Sequence, residues 1–459
     1  MRYAVMLDFG STYTKVACVS LAEKRLLRTG GFPSSVHTDA RTNLKECMDF
    51  ASETIGKQNL EKALKLCSSS AAGGLRMAVI GLTERLSCVA GRNTAFGAGG
   101  KIVGTYSGKI TEEDVQKLEG SKAEIILLCG GYEKGNKSIV LHNAQLIAES
   151  RIAIPIIYAG NSEVASQVRV SLISHGKHCL LADNVIPGPG ELNTASAEAV
   201  VRDQFMKRIV DMKGIGCVRN EIAAEIVPTP AAVLAAGTLL SQGSVTQKGF
   251  GPFMMVDVGG ATTDVYSFGE NKAYPGACLS GVKEPYAKRT VEGDMGMRES
   301  SICVLREVGI SALAGNCAVS AEILERAIKR RVETTAYLPD SQEEQRIEQE
   351  LACQAVGISV RRHAGVLENV WTTGARLMQI GKNLTECGTI IGIGGVLVNS
   401  ANPEEILRRA QLAGDETEKI LLPRSLGTRI DRDYVFYAAG LLRKYDEEAA
   451  LSIMKNSIQ

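Results

Sequence analysis

The sequence predicts an α/β protein of two lobes, and three observations predict it. First, "YAVMLDFGSTYTKV" (3–16) has a counterpart in "FMMVDVGGATTDV" (253–265), with Asp8 and Asp257 standing 249 residues apart in like settings. In each copy an apolar run ends on Asp, then Gly, then a hydroxyl cluster, which reads as strand, tight turn, second strand. Second, "AEIILLCGG", "SIVLHNAQLIAES" and "IPIIYAGN" follow one another as strand, helix and strand, a βαβ unit. Third, 459 residues is long for a single core.

Composition narrows the functional classes. Lys and Arg number 52 against 51 Asp and Glu, so no basic excess points to nucleic acid, and no basic cluster points to a membrane surface. The N-terminal run reaches a charge at Asp8, unlike a signal peptide, and no apolar stretch approaches the roughly 18 residues of a spanning helix. The 12 cysteines are scattered, without a C-x-x-C pair, which predicts a reduced compartment and hence the cytoplasm. "HGKHC" (His175, His178, Cys179) reads as a surface turn, not a zinc site. The chain is compatible with a homo-oligomer.

The elements follow in order. The N-terminal lobe, roughly 1–240, begins with the first hairpin and carries two insertions. Residues 30–120 are rich in Ser, Thr and Gly, with a strand in "LRMAVIGL" and a flexible "AFGAGGKIVG". Residues 121–227 hold the βαβ unit and an amphipathic helix in "SAEAVVRDQFMKRIVDM". The C-terminal lobe, roughly 241–459, carries the second hairpin and a mainly helical insertion, 296–385. "TIIGIGGVLVNS" then reads as strand, Gly-rich turn and helix start, and "DRDYVFYAAGLLRKY" as a closing helix. Neither a G-x-G-x-x-G opening a helix nor a G-x-x-x-x-G-K-[ST] loop is present.

A hairpin turn of Gly and Thr presents backbone N–H groups and hydroxyls in a small concavity, which suits phosphate oxygens. Gly10, Ser11, Thr12, Gly259, Gly260 and Thr262 are the candidate phosphate binders. A neighbouring Asp would repel phosphate unless a cation lies between them, so Asp8 and Asp257 are assigned to Mg²⁺ through water. Two such hairpins facing each other would clamp a nucleoside triphosphate and its metal. Lys15 adds a point charge on the phosphates. Asp264, helped by Thr263, is placed to orient an attacking water.

These segments resemble the superfamily of actin, sugar kinases and heat-shock chaperone ATPases. "LDFGSTYTK" and "VDVGGATTDV" are similar to its two phosphate motifs, the second with Ala261 where chaperones usually carry a third Gly. "PTPAAVLAAGTLL" and "YAAGLL" are similar to its connecting helices, and "IIGIGGVLVNS" to its adenosine motif. The resemblance implies a two-lobed actin-like (ribonuclease H-like) fold that binds ATP or ADP with Mg²⁺ and closes on ATP. It also implies that Gly392, Gly394 and Gly395 admit adenine and ribose. "VEGDMGMRE" resembles the segment bordering the ribose in the chaperone branch, which adds Gly296 and Glu299.

A closer resemblance is carried by "DVGGATTDVYS", "VEGDMGMRES", "IILLCGGYEKGNK" and "PIIYAGN". It is to the accessory proteins of adenosylcobalamin-dependent mutases, of the glutamate mutase (MutL) type, unrelated to mismatch repair. That resemblance implies a chaperone-like reactivating factor, a slow ATPase that promotes release of damaged cobalamin from its mutase partner; the block 121–227, large, not needed for the nucleotide site and with Gly- and Pro-rich turns, is the expected contacting element. The alternative is a small-molecule kinase of the same fold. A kinase needs a general base, and segment 228–240 has no acid; Glu225 is the nearest. An iron–sulfur activator would need cluster ligands, and Cys278, Cys303 and Cys317 lack a Gly-flanked pattern. A nucleotide binder without turnover has no use for Asp264.

Overall fold

The computed structural model describes residues 2–10, 13–35, 39–70, 75–210, 218, 220–222, 225–370, 377–414 and 419–458. Ser11 and Thr12 lie outside the described residues. The chain divides into two units, one of Met1–Val19, Gly30–Ala232 and Gly281–Pro285, the other of Ser20–Thr29, Val233–Ser280 and Tyr286–Gln459. The division falls inside the helix Thr229–Gln242, which also contains the boundary expected at 240.

The first unit is built on the strands β1 (Tyr3–Phe9), β2 (Tyr13–Ser20), β3 (Arg25–Pro33, of which Arg25–Thr29 is grouped with the second unit), β4 (Leu64–Ser69), β5 (Arg76–Gly81), β6 (Lys101–Ser107), β7 (Ile125–Gly130), β8 (Ile156–Gly160), β9 (Cys179–Leu181) and β10 (Val227–Pro228). One sheet has the order β10-β4-β1-β2-β3. Its centre, β1, is apolar along its length apart from Asp8 because both faces are covered, and it pairs in parallel with β4, placing Asp8 opposite Ser68. The other sheet has the order β6-β5-β7-β8-β9 and is parallel throughout. Helices Ser138–Glu149 and Ala165–Ser174 follow β7 and β8 and bury Val140, Ala144, Ile147, Val168 and Leu172 against it.

This second sheet corrects the expected division at 120/121. "LRMAVIGL" does not belong to a separate block: Met77 to Ile80 pair with Ile125 to Leu128, so residues 76–181 build one sheet. Apolar runs of this kind state that a strand is buried on both faces but not which strand lies beside it.

The second unit contains β11 (Phe253–Val258), β12 (Thr263–Phe268), β13 (Ala277–Ser280), β14 (Ala287–Glu292), β15 (Val366–Asn369), β16 (Leu377–Ile380), β17 (Thr389–Ile393) and β18 (Gly427–Ile430). Its main sheet runs β14-β12-β11-β17-β18. β11, β12 and β14 are antiparallel neighbours, whereas β11, β17 and β18 are parallel. The helix Gln342–His363, capped by Ser341, packs on β11, β12 and β14. Its Leu351, Ala355 and Val356 share a core with Met254, Val256 and Val265. The chain closes on the helix Glu447–Ser457, not on the run around "YAAGLL", because Asp446 caps a further helix after Phe436–Leu442.

Numbered within each unit, both main sheets have the order 3-2-1-4-5, with β1 matching β11, β2 matching β12 and β4 matching β17. A short helix follows the fifth strand in each, Thr229–Gln242 after β10 and Phe436–Leu442 after β18. This is the α/β, actin-like fold with its ribonuclease H-like sheet, present once in each unit. No disulfide forms among the described residues, and no described helix is long and apolar enough to cross a membrane.

Candidate functional site: two phosphate hairpins

The duplication extends to single atoms. Gly10 N–H donates to Tyr13 O at 3.1 Å, and Gly259 N–H donates to Thr262 O at 2.9 Å. A threonine at the beginning of each returning strand, second on β2 and first on β12, is wholly buried and anchored: Thr14 donates to Asn43 Oδ1 (3.0 Å), and Thr263 to the Met295 carbonyl. The Thr263 hydroxyl is therefore spent inside the protein, and its role is to hold the hairpin.

In the first unit the Asp8 carboxylate is 2% exposed and accepts from Ser68 Oγ (2.8 Å) and Thr229 Oγ1. It thus ties β1 to β4 and to the start of the connecting helix. Lys15 is half-buried on β2. The offset that carries Asp8 to Asp257 carries Lys15 to Asp264, so corresponding strand positions bear opposite charges.

The second hairpin is described completely. Asp257 on β11 lies directly opposite Asp264 on β12. Like charges so placed destabilise a sheet unless cations compensate. One cation is Arg289 on β14, whose Nη2 donates to Asp264 Oδ2 at 3.0 Å. Burial works against the Arg289 charge, but Asp264, with Tyr266, outweighs it and holds the guanidinium above its ordinary range. Burial, and then the Asp264 charge, push Tyr266 well up. The other oxygen, Asp264 Oδ1, is buried and has no hydrogen-bond partner among the described residues.

The turn itself is strapped from below. Met297 N donates to Gly259 O (3.0 Å), Arg298 N to Gly260 O (2.7 Å) and Ser300 Oγ to Ala261 O (2.7 Å). With Gly259 N on Thr262 O, all four turn carbonyls are engaged. The N–H groups of Gly260, Ala261 and Thr262 make no hydrogen bond among the described residues, and Gly260 is exposed. Consecutive unpaired N–H groups form an anion-binding concavity. Arg298 is fixed in turn by Glu348 (2.8 Å), and Glu348 also accepts from the wholly buried Arg331 (3.1 Å).

The glycines separate by cause. A Cβ on Gly296 would lie 2.5 Å from the Ala261 carbonyl carbon, so this glycine is there to let the strap touch the turn. Glu299 is exposed. A Cβ on Gly392 would meet Ile430 and Leu397 side chains at 2.9 and 3.0 Å, which is core packing. Gly394 has φ +96°, and a Cβ there would fall 2.6 Å from Asp257 Oδ1. Gly395 is exposed and opens the helix Gly395–Asn399, with room for a side chain.

The fit to Mg²⁺ rests on a carboxylate one residue before the end of each leading hairpin strand, Asp8 on β1 and Asp257 on β11. Mg²⁺ keeps several waters and takes one or two carboxylates beside phosphates. Among the described residues no group of three His, Cys, Asp or Glu converges as an all-protein metal cage. Reading the sequence missed Ser68, Thr229, Arg289, Arg298 and Ser300. Thr229, Arg298 and Ser300 carried a signal, since they lie in the singled-out "PTPAAVLAAGTLL" and "VEGDMGMRES".

Residues 4–458 match the family model described as MutL protein. The chain belongs to the MutL family. Protein MutL of Clostridium tetanomorphum is 37% identical over 454 residues, spanning 98% of each chain. Among solved structures, xylulose kinase from Bifidobacterium adolescentis matches at TM-score 0.32 and 11% identity over 98% of this chain and 92% of that one. Component A of the Acidaminococcus fermentans (R)-2-hydroxyglutaryl-CoA dehydratase matches at TM-score 0.29 and 10% identity, over 100% and 99%. Likeness at these scores carries nothing about the site of this MutL-family chain.

Proposed function

We propose that the chain is an ATP-dependent reactivating factor for an adenosylcobalamin-dependent mutase of the glutamate mutase kind, acting in the cytoplasm and promoting release of damaged cobalamin. Membership of the MutL family supports the mutase half of this reading. The observation that carries the nucleotide half is the turn 259–262, whose carbonyls are all engaged while three successive N–H groups have no partner among the described residues.

Gly260, Ala261 and Thr262 bind phosphate oxygens through their backbone, and Gly10 holds the matching turn in the first unit. Mg²⁺, when bound, neutralises charge on the phosphates. Asp8 and Asp257 hold its waters. Asp264 Oδ1 accepts from the attacking water while Arg289 fixes the other oxygen. Gly395, at the exposed start of its helix, lies on the nucleoside side. A chaperone of this kind needs a conformational equilibrium that the γ-phosphate biases, not an acceptor hydroxyl.

The test mixes the protein with co-encoded mutase inactivated by hydroxocobalamin, then adds Mg·ATP and intact coenzyme. Recovery of mutase activity that requires ATP is expected. No recovery, with ATP-dependent phosphorylation of a small metabolite instead, would replace this reading with a kinase.

A further inference from the structure

The motif "CGGYEKGN" (129–136) has no part in the nucleotide reading, yet it is built with care. Gly130 and Gly131 have φ +123° and +75°, and a Cβ on Gly131 would strike the Asn136 carbonyl oxygen at 2.5 Å. The loop leaving β7 is thereby turned back over the carboxyl ends of β8 and β9. Glu133 N anchors it on Pro187 O at 2.9 Å.

The sheet beneath has the order 2-1-3-4-5 and is parallel throughout. Open sheets of this kind bind ligands in the crevice outside the carboxyl ends of their strands. A cleft of about 450 Å³ lies there. Its walls come from the residues after β7 (Glu133), after β8 (Ser162) and after β9 (Asp183, Asn184), with Leu181 and Pro187 as apolar surface.

The cleft is chemically one-sided. Glu133 and Asp183 line it, and no Lys, Arg or His does so among the described residues. The Glu133 carboxylate is held in place: it accepts from Ser162 N (3.2 Å), from Ser162 Oγ and from Asn184 Nδ2 (2.8 Å). Asn184 is 5% exposed and also donates to Gly131 O at 3.0 Å. Burial opposes the charge on Glu133, but the hydrogen bonds from Ser162 and Asn184 outweigh it, so the group stays ionised. A fixed carboxylate with a second acid nearby repels phosphate or carboxylate ligands. It suits a cationic head on an alkyl stem that lies along Leu181 and Pro187.

We propose that this cleft binds an alkylammonium or alkylguanidinium group, with Glu133 as its counter-ion. The inference stands apart from the nucleotide reading. The group could reach the cleft on a free diamine or as the side chain of a partner protein.

Calorimetry on the full chain at low ionic strength tests it with two probes, agmatine and N-acetylarginine methylamide. Saturable binding of at least one probe is expected, weakened about tenfold or more in Glu133→Gln, since a charge-assisted pair becomes a neutral one. Agmatine alone binding identifies a free small amine; the capped arginine alone identifies a side chain. No saturable binding of either probe, or equal affinity in Glu133→Gln, overturns the proposal. If Glu133→Gln fails to fold, the salt dependence of probe binding to the parent serves, and affinity unchanged between low and high ionic strength overturns it equally. Mg·ATP titrated into the same variants should bind as in the parent, which keeps this result separate from the fate of the nucleotide reading.

Discussion

A buried acceptor without a donor costs about 1–3 kcal/mol, and Asp264 Oδ1 is such an atom. Its neighbour Oδ2 is already satisfied by Arg289, so the carboxylate is oriented with one oxygen in reserve. Asp264→Asn keeps the shape and removes the charge. It should bind Mg·ATP as the parent does and hydrolyse it about 10²–10⁴-fold more slowly, measured in single turnover. Equal rates would remove Asp264 from the mechanism. His363 illustrates the opposite case, a residue whose chemistry is structural. Its ring lies 2.8 Å from both Thr290 Oγ1 and Ser267 Oγ. Burial, and then Lys288 and Lys382, hold its pKa well below the ordinary value of 6.5. The unfolded chain takes up this proton near pH 6.5 while the folded one does not. Stability should therefore fall as pH drops below about 6.5, by up to about 1.4 kcal/mol per unit. Urea midpoints at pH 7 and pH 5 should drop further for the parent than for His363→Gln; an equal drop in both would show that His363 is not the source.

At the scale of elements, the strap 293–300 matters as much as the hairpin it holds. Gly296→Ala would drive a Cβ into the Ala261 backbone, which cannot yield as a side-chain tip would. The expected cost is about 1–3 kcal/mol, together with weaker Mg·ATP binding, read from urea titration and calorimetry on one sample. Loss of stability with undiminished Mg·ATP affinity would mean that turn geometry does not govern phosphate binding. The same reasoning corrects the simple role given to Gly394. Its missing Cβ faces Asp257 Oδ1, so a side chain there disturbs the carboxylate on the metal side as well as any nucleoside contact. Gly394→Val cannot separate the two, whereas a Cβ on the exposed Gly395 would make only ordinary contacts, with Tyr434 Oη at 3.6 Å and Asn399 Nδ2 at 3.8 Å.

For the whole molecule, a ligand that binds only the folded state raises its stability by mass action. Mg·ATP at a hundredfold its Kd should add about 2.7 kcal/mol. Asp8 is the residue to remove, but not by truncation, because its carboxylate also accepts from Ser68 and Thr229. Asp8→Asn keeps an acceptor oxygen and discards the charge. Its melting temperature without nucleotide should stay near that of the parent, and its rise on adding Mg·ATP should vanish. A full rise would exclude Asp8 from metal binding.

The sequence by itself determined the repeat. Two Asp-x-Gly hairpins, their offset and the βαβ run were legible because strand ends, turns and periodicity are local properties of the chain. They led to the α/β fold and to the turn whose N–H groups stay unpaired. Only the tertiary structure decided which strands adjoin, placing "LRMAVIGL" beside "IILLCG" in one sheet, since two apolar strands can pair with any partner of matching pattern. It also decided which polar atoms are spent and which are left. Thr263 looked available beside the turn and is buried on Met295 O. Arg289, 25 residues beyond Asp264, becomes its counter-ion. Partnership of this kind depends on register between strands and on burial, and neither is written at any single position of the chain.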